Sequence, residues 1–157
     1  MVWKSLNGNT IDMPIYSAVE QAILKEKNLG HKLKICIGTD SQVKNGIVNY
    51  ATVIVFLREK RGGYMYIHRE QSNLVTSLKQ RMISEVAKSI NVAHSLCDLL
   101  DSHNIALEVH ADINTDPNFD SNVALKEAMG YIQGMGFKFK AKPEAFASSS
   151  CADKCVA

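Results

Sequence analysis

Read for its apolar positions alone, the chain divides into strand-like and helix-like stretches. Residues 33–42, Leu-Lys-Ile-Cys-Ile-Gly-Thr-Asp-Ser-Gln, open on an apolar run typical of a strand covered on both faces. Asn45-Gly46 is a tight-turn signal, and Ile47 to Glu59 is a long stretch rich in β-branched residues. Arg61-Gly62-Gly63 marks a second turn ahead of a third strand, Tyr64 to Glu70. Three strands joined by short turns predict an antiparallel meander. The period then changes. From about Leu74 to Asp101, with Ser72-Asn73 as the expected cap, Leu78, Met82, Ser89, Ala93, Leu96 and Leu100 share one helical stripe. Ile105 to Asp112 reads as a fourth strand, 122–133 as a helix capped by Asp120 or Ser121, and Phe137 to Lys142 as a strictly alternating fifth strand. Gly130 and Gly134, four apart, predict close packing of the preceding helix, and Gly136 ends that segment. Ala145 to Ala157 reads as a last helix.

The opening residues fit the same description. Val2-Trp3 and Thr10-Ile11 are expected to pair across Asn7-Gly8-Asn9, and Pro14 starts a helix with Ile15, Val19, Ile23 and Leu24 on its apolar stripe. The reading is a single domain over 1–157, in which 1–32 is an N-terminal hairpin-plus-helix extension without recognisable chemistry of its own.

Composition adds few constraints. The chain has 157 residues, 46% hydrophobic and 22% charged, enough to bury a sizeable core. No apolar run approaches the roughly 18 residues that span a membrane, and the first residues lack a secretory apolar segment, so a cytoplasmic location is expected. A net charge of +2 does not by itself imply nucleic acid. Cys36, Cys97, Cys151 and Cys155 show no CxxC spacing and read as reduced thiols. No P-loop pattern occurs.

The chemistry lies in the acids. Asp40 ends an apolar strand, where it either caps a turn or binds a cation or polar substrate. Asp112 ends the fourth strand in the same way. Glu85 falls inside the apolar stripe of the long helix, whereas Asp98 projects from the opposite face. A carboxylate within an apolar stripe is costly unless paired with a core Arg or Lys or used to hold a metal. A strand–helix–strand connection of this length permits parallel pairing through a right-handed crossover. If the first strand is the partner, Asp40 and Asp112 emerge side by side and the helix carrying Glu85 packs over them. His110 shares the alternation of Asp112 and points either to the same site or to a covering helix. Lys138, Lys140 and Lys142 form one face of the fifth strand. With Lys79 or Arg81 they are candidates for phosphate contacts, or else a solvated basic edge.

Three segments carry a resemblance: Ile37-Gly-Thr-Asp-Ser-Gln42, His110-Ala-Asp-Ile-Asn114, and the stretch from Lys142-Pro-Glu to Cys151-Ala-Asp-Lys154. With the elements between them they resemble the YkuK-like family of the RNase H-like superfamily. The resemblance implies an α/β RNase H-like fold with a five-stranded mixed sheet, order 3-2-1-4-5, and helices on both faces. It also implies a metal site in which Asp40, Glu85, Asp112 and Asp153 are the catalytic and metal-holding carboxylates, with Mg²⁺ or Mn²⁺ as cofactor. Cys155-Val156 departs from the polar and basic ending of that family, so the last helix is expected to be short. The expected activity is metal-dependent hydrolysis of phosphodiester bonds in RNA, DNA or a hybrid, with no protein nucleophile. The alternative is a non-catalytic module that binds nucleic acid or a protein partner. A weaker third reading is a phosphohydrolase acting on mononucleotides.

Overall fold

Alternating β-branched residues between Leu33 and Ser72 produce three long strands joined by tight turns. In the computed structural model, which describes residues 1–74, 77–114, 125–142 and 144–156, these are β2 (Leu33–Lys44), β3 (Ile47–Arg58) and β4 (Gly62–Ser72). β2 pairs with β3, and β3 with β4, antiparallel along nearly their full lengths. The first turn is dictated by its residues: Asn45 and Gly46 sit at φ 52° and 75°, the two positive angles that a two-residue hairpin of matching twist requires. The long helix α2 (Leu78–Ser102) then crosses the sheet and returns the chain as β5 (Ala106–Asn114), parallel to β2 with Cys36 opposite Glu108 and Gly38 opposite His110. Helix α3 (Leu125–Gly134) leads to β6 (Lys138–Lys142), parallel to β5.

The sheet has six strands in the order β1-β4-β3-β2-β5-β6, rather than the five in order 3-2-1-4-5 expected from the sequence. The added strand β1 (Lys4–Ser5) comes from the N-terminal hairpin and pairs antiparallel with β4, Lys4 opposite Ile67. Within the longer order, the five expected strands remain neighbours as β4-β3-β2-β5-β6. The hairpin itself forms, with Ile11 N–H donating to the Trp3 carbonyl. Helix α1 (Ile15–Asn28) follows it and places Val19 and Ile23 in the main core.

Strand parity assigns the two faces. Ile35, Ile37, Ile54, Phe56, Val109 and Ala111 form the larger core with α1, α2 and Ile132 of α3. The opposite parity, Cys36, Val53 and Val55, packs under the C-terminal segment. That segment is a π-helical turn (Ala147–Ala152) continued by one turn of α-helix, α4 (Asp153–Val156). Helices therefore cover both faces of the sheet.

Several local expectations are corrected, and one lies outside the described residues. Ser77, not Ser72-Asn73, caps α2, its side chain accepting from Gln80 N–H. Leu24 is 45% exposed and Leu78 39% exposed, each at the margin of its stripe. A Cβ added at Gly130 or Gly134 would meet nothing within 4 Å among the described residues, so none of these packs closely on either glycine. The expected cap at Asp120 or Ser121 lies outside the described residues. No described helix is long and apolar enough to cross a membrane.

Candidate functional site

β2 and β5 run parallel, so their C-terminal ends emerge together, and each ends in an acid. Asp40 and Asp112 share the even parity of Cys36, Gly38, Glu108 and His110, and so stand on the face covered by the C-terminal segment. Glu85 comes from the other side. α2 lies on the odd-parity face, and Glu85 reaches the end of β2 to accept a hydrogen bond from Ser41 Oγ at 2.5 Å. A seam of hydroxyls fixes this approach one turn further along α2: Thr39 Oγ1 lies 2.7 Å from Ser89 Oγ and 3.0 Å from Thr52 Oγ1. Ser89, read as an apolar-stripe position, is a buried polar partner instead.

Asp40 lies within electrostatic reach of Asp112 and Asp153, and Glu85 within reach of Asp40 and Asp112. Asp40 is only 7% exposed and shares a side-chain hydrogen bond with Asp153 of α4. Burial, this bond and the charges of Asp112 and Asp153 push its pKa up to about 7, against a backbone hydrogen bond at Ser41 that lowers it. Glu85, 6% exposed, is pushed up to about 8. Burial is the largest cause, Ser41 opposes it, and the charges of Asp40 and Asp112 add to it. Carboxyls that resist ionisation together are deficient in positive charge. Arg81 and Lys142 supply part of it. Arg81 lies one turn before Glu85 and favours its ionised form. Lys142 Nζ is 2.9 Å from Asp112 Oδ1, the atom that also accepts from Ser149 Oγ at 3.0 Å. No ion pair to Asp40 forms among the described residues.

The donor set suits a hard divalent ion: all carboxylate oxygen, partly water-accessible and short of cations. The acids nevertheless stand apart, Asp112 turned to Lys142 and Ser149, and they do not form a group of three with ligand atoms at metal-binding spacing. Among the described residues that spacing occurs once, deeper on the same face, where ligand atoms of Cys36, Glu108 and His110 lie within 4.8 Å of one another. Hydrogen bonds already use those atoms. Ala147 N–H donates to His110 Nδ1 at 3.1 Å, so Nε2 carries the ring proton and donates to Glu108 Oε1 at 3.0 Å. Burial keeps His110 neutral and, with Glu108, raises the Cys36 thiol to about 12. Burial alone would raise Glu108, but the bonds from His110 and Lys34 outweigh it and hold it below the usual range. A metal here would need His110 Nε2 stripped of its proton and Ala147 N–H left facing a second N–H.

His110 thus faces the covering helix rather than the acids. Gly38 explains how that helix comes so close: a Cβ there would lie 2.5 Å from Ser148 N and 2.6 Å from Ala147 C. The segment carrying Ser149 and Asp153 is seated on Gly38 and His110, with Phe146 edge-on to the imidazole at 4.7 Å. Of the basic face on β6, Lys138 is exposed, Lys140 pairs with Glu144 at 3.4 Å and Lys142 pairs with Asp112. Lys79 is paired with Glu127 at 2.9 Å.

Sequence reading missed Ser41, Ser89, Ser149, Glu108 and Cys36. Parity alone reveals the last two: once β5 is parallel to β2, even-numbered residues on both strands share a face. Neither curated proteins nor solved structures gave a match to the chain. A family model described as Ribonuclease H-like matches residues 15–156, a span that takes in α1, both central strands and all four acids. The chain belongs to this family, the YkuK family of the RNase H-like superfamily, and so to the nuclease-type or nucleic-acid-binding modules.

Proposed function

We propose that the chain is a divalent-metal-dependent nuclease that hydrolyses phosphodiester bonds of RNA or DNA at the Asp40, Glu85, Asp112 and Asp153 cluster. The observation that carries this reading is the convergence of Asp40 and Glu85. Both are buried carboxyls held partly protonated near neutral pH, and they come from opposite faces of the sheet to one strand end. Unpaired buried acids destabilise a fold, and bound cations offset that cost. Mg²⁺ or Mn²⁺ held by these four side chains would supply a polarised phosphate and an activated water.

The remaining work falls to the chain itself. Ser41 orients the Glu85 carboxylate, and the Thr39–Ser89 bond keeps α2 at the rotation that aims it. Ser149 fixes Asp112. Lys142 is placed to exchange Asp112 for a substrate phosphate, with Lys138 at the other end of the same strand. A cleavage panel of RNA, DNA and hybrid duplexes with Mg²⁺ or Mn²⁺ tests the proposal. Metal-dependent cleavage lost in Asp40→Asn is expected, and cleavage retained by that variant would sink it.

A non-catalytic module is favoured by one observation: Asp112 is engaged by Lys142 and Ser149, and Asp40 by Asp153, so these two acids have partners without an ion. Calorimetric titration with Mn²⁺ separates the two readings, absence of binding at millimolar metal favouring the module.

A further inference from the structure

At the opposite end of β2 from Asp40, a cavity of about 520 Å³ opens between the end of α1, the starts of β2 and β5 and the end of β3. The basic side chains Lys27, His31, Lys32, Lys34, Arg58 and His103 line it, above an apolar floor that includes Ile23, Leu57 and Ile105. Three of these basic groups have partners already, and Arg58 keeps part of its guanidinium free: its Nη2 donates to the Arg61 carbonyl at 2.9 Å and its Cζ lies 5.7 Å from the centre of the Tyr64 ring. His31 is bonded to buried Glu26, and Lys34 pairs with Glu108 at 3.4 Å. Lys27, Lys32 and Arg58 form no ion pair among the described residues. Lys27 Nζ instead lies 3.1 Å from His103 Nδ1. Arg58 Nε is buried without a hydrogen-bond partner among the described residues. Among the described residues lining it, exposed Glu59 is the one carboxylate that offers opposing charge.

Cations at helix ends commonly serve to neutralise free carbonyls. Here most of those carbonyls are already taken. At the end of α1, Leu29, Gly30 and His31 N–H groups bond to the Lys25, Lys27 and Glu26 carbonyls. At the end of α2, His103 and Ile105 bond to Leu100 and Asn104 to Asp101. Lys27 is therefore not needed as a cap, and Lys32 and Arg58 lie outside the helices.

We infer that this cavity is a second binding site, which takes a nucleotide: a phosphate between Lys27, Lys32 and Arg58, and a base on the apolar floor. Its volume is within the usual range for small-ligand pockets, and its mixture of apolar floor and few charged groups is the usual one. Inorganic phosphate would satisfy the cations alone, whereas a nucleotide satisfies both parts. The nucleotide is either free or the end of a nucleic-acid strand. The site is roughly 23 Å from Asp40 along β2, at about 3.3 Å per residue, and it requires no metal.

The test is calorimetric titration of the whole chain in EDTA with three probes: inorganic phosphate, AMP and a single-stranded DNA octamer. Saturable AMP binding is expected, weakened about tenfold or more in Lys27→Ala/Lys32→Ala and in Arg58→Gln, and unchanged in Asp40→Asn. AMP binding tighter than the octamer assigns a free nucleotide, and the reverse order assigns a strand end. The inference is overturned if AMP shows no binding at millimolar concentration, if phosphate binds as tightly as AMP, or if the basic-site variants bind AMP like the parent. AMP binding lost in Asp40→Asn would overturn it too, by moving the ligand to the acids. Because the measurement is metal-free, it stands or falls separately from the nuclease reading.

Discussion

Replacing Asp40 by Asn is expected to remove activity and to make the metal-free protein more stable at neutral pH. The reasoning starts from the carboxyl itself. Its pKa is 3.8 in an ordinary setting and about 7 in the fold, raised chiefly by burial, then by its bond to Asp153. Between those values the folded protein keeps a proton that the unfolded chain has lost, so folding stability falls as pH rises from about 4 to about 7 and levels off above. At about 1.4 kcal/mol per pH unit the loss is at most roughly 4 kcal/mol, and the proton shared with Asp153 brings it nearer 2–4 kcal/mol. Asn keeps the shape and can still donate to Asp153, but it carries no charge to lose. At pH 8 in EDTA, Asp40→Asn should therefore exceed the parent by roughly 2–4 kcal/mol, about 5–10 °C in Tm for a chain of this size. At pH 4 the two should nearly coincide. Urea and thermal unfolding at both pH values measure the difference. A variant less stable than the parent at pH 8, or a gap independent of pH, would refute the account of Asp40 as a buried acid held against its tendency to ionise.

Three further outcomes follow from the same geometry. Gly38→Ala places a methyl 2.5 Å from Ser148 N, and should cost about 1–3 kcal/mol in denaturation while abolishing amide-exchange protection in 147–156; protection kept at parent levels would contradict the seating described for that segment. His110→Ala removes a fully buried ring, leaves Ala147 N–H without its acceptor and strips Glu108 of one of its donors, an expected loss of about 2–4 kcal/mol by urea unfolding; a loss below about 1 kcal/mol would show that the bond from Ala147 matters little. Lys142→Ala frees Asp112 from its ion pair, so Mn²⁺ should bind several-fold more tightly by calorimetry while nucleic acid binds less well; weaker Mn²⁺ binding would mean that Lys142 orients Asp112 instead of competing for it.

Much of the central architecture was legible because it depends on local pattern. The apolar run from Ile35 to Ile37 and the turn at Asn45-Gly46 set the meander, and the spacing of Leu96 and Leu100 set α2. Glu85 was conspicuous as an acid in an apolar stripe, and it is buried against Ser41. What stayed hidden depends on contacts between distant residues. Two residues, Lys4 and Ser5, are too few for a strand pattern, and they become one only because β4 has a free edge. Glu26 looks like a solvated helix acid, yet it is buried because His31 and the Tyr64 hydroxyl reach it. The lysines of β6 alternate as a basic face should, but alternation carries no information on whether Asp112 and Glu144 neutralise two of them. In the same way a glycine at position 38 leaves room on the strand, but nothing local in the sequence says that the C-terminal segment fills it.

The separation of charge along β2 has a kinetic consequence. Cations gather where the strand begins and carboxyls where it ends, so the molecule meets a polyanion as an oriented dipole, basic end first. At about 0.01 M salt the Debye length, roughly 30 Å, exceeds the distance between the two ends, and repulsion from the acids offsets part of the attraction. At about 0.15 M it shrinks to roughly 8 Å, and each end acts alone. Added salt therefore weakens the attraction and the opposing repulsion together, and the encounter rate should vary less steeply with ionic strength than the basic end alone would dictate.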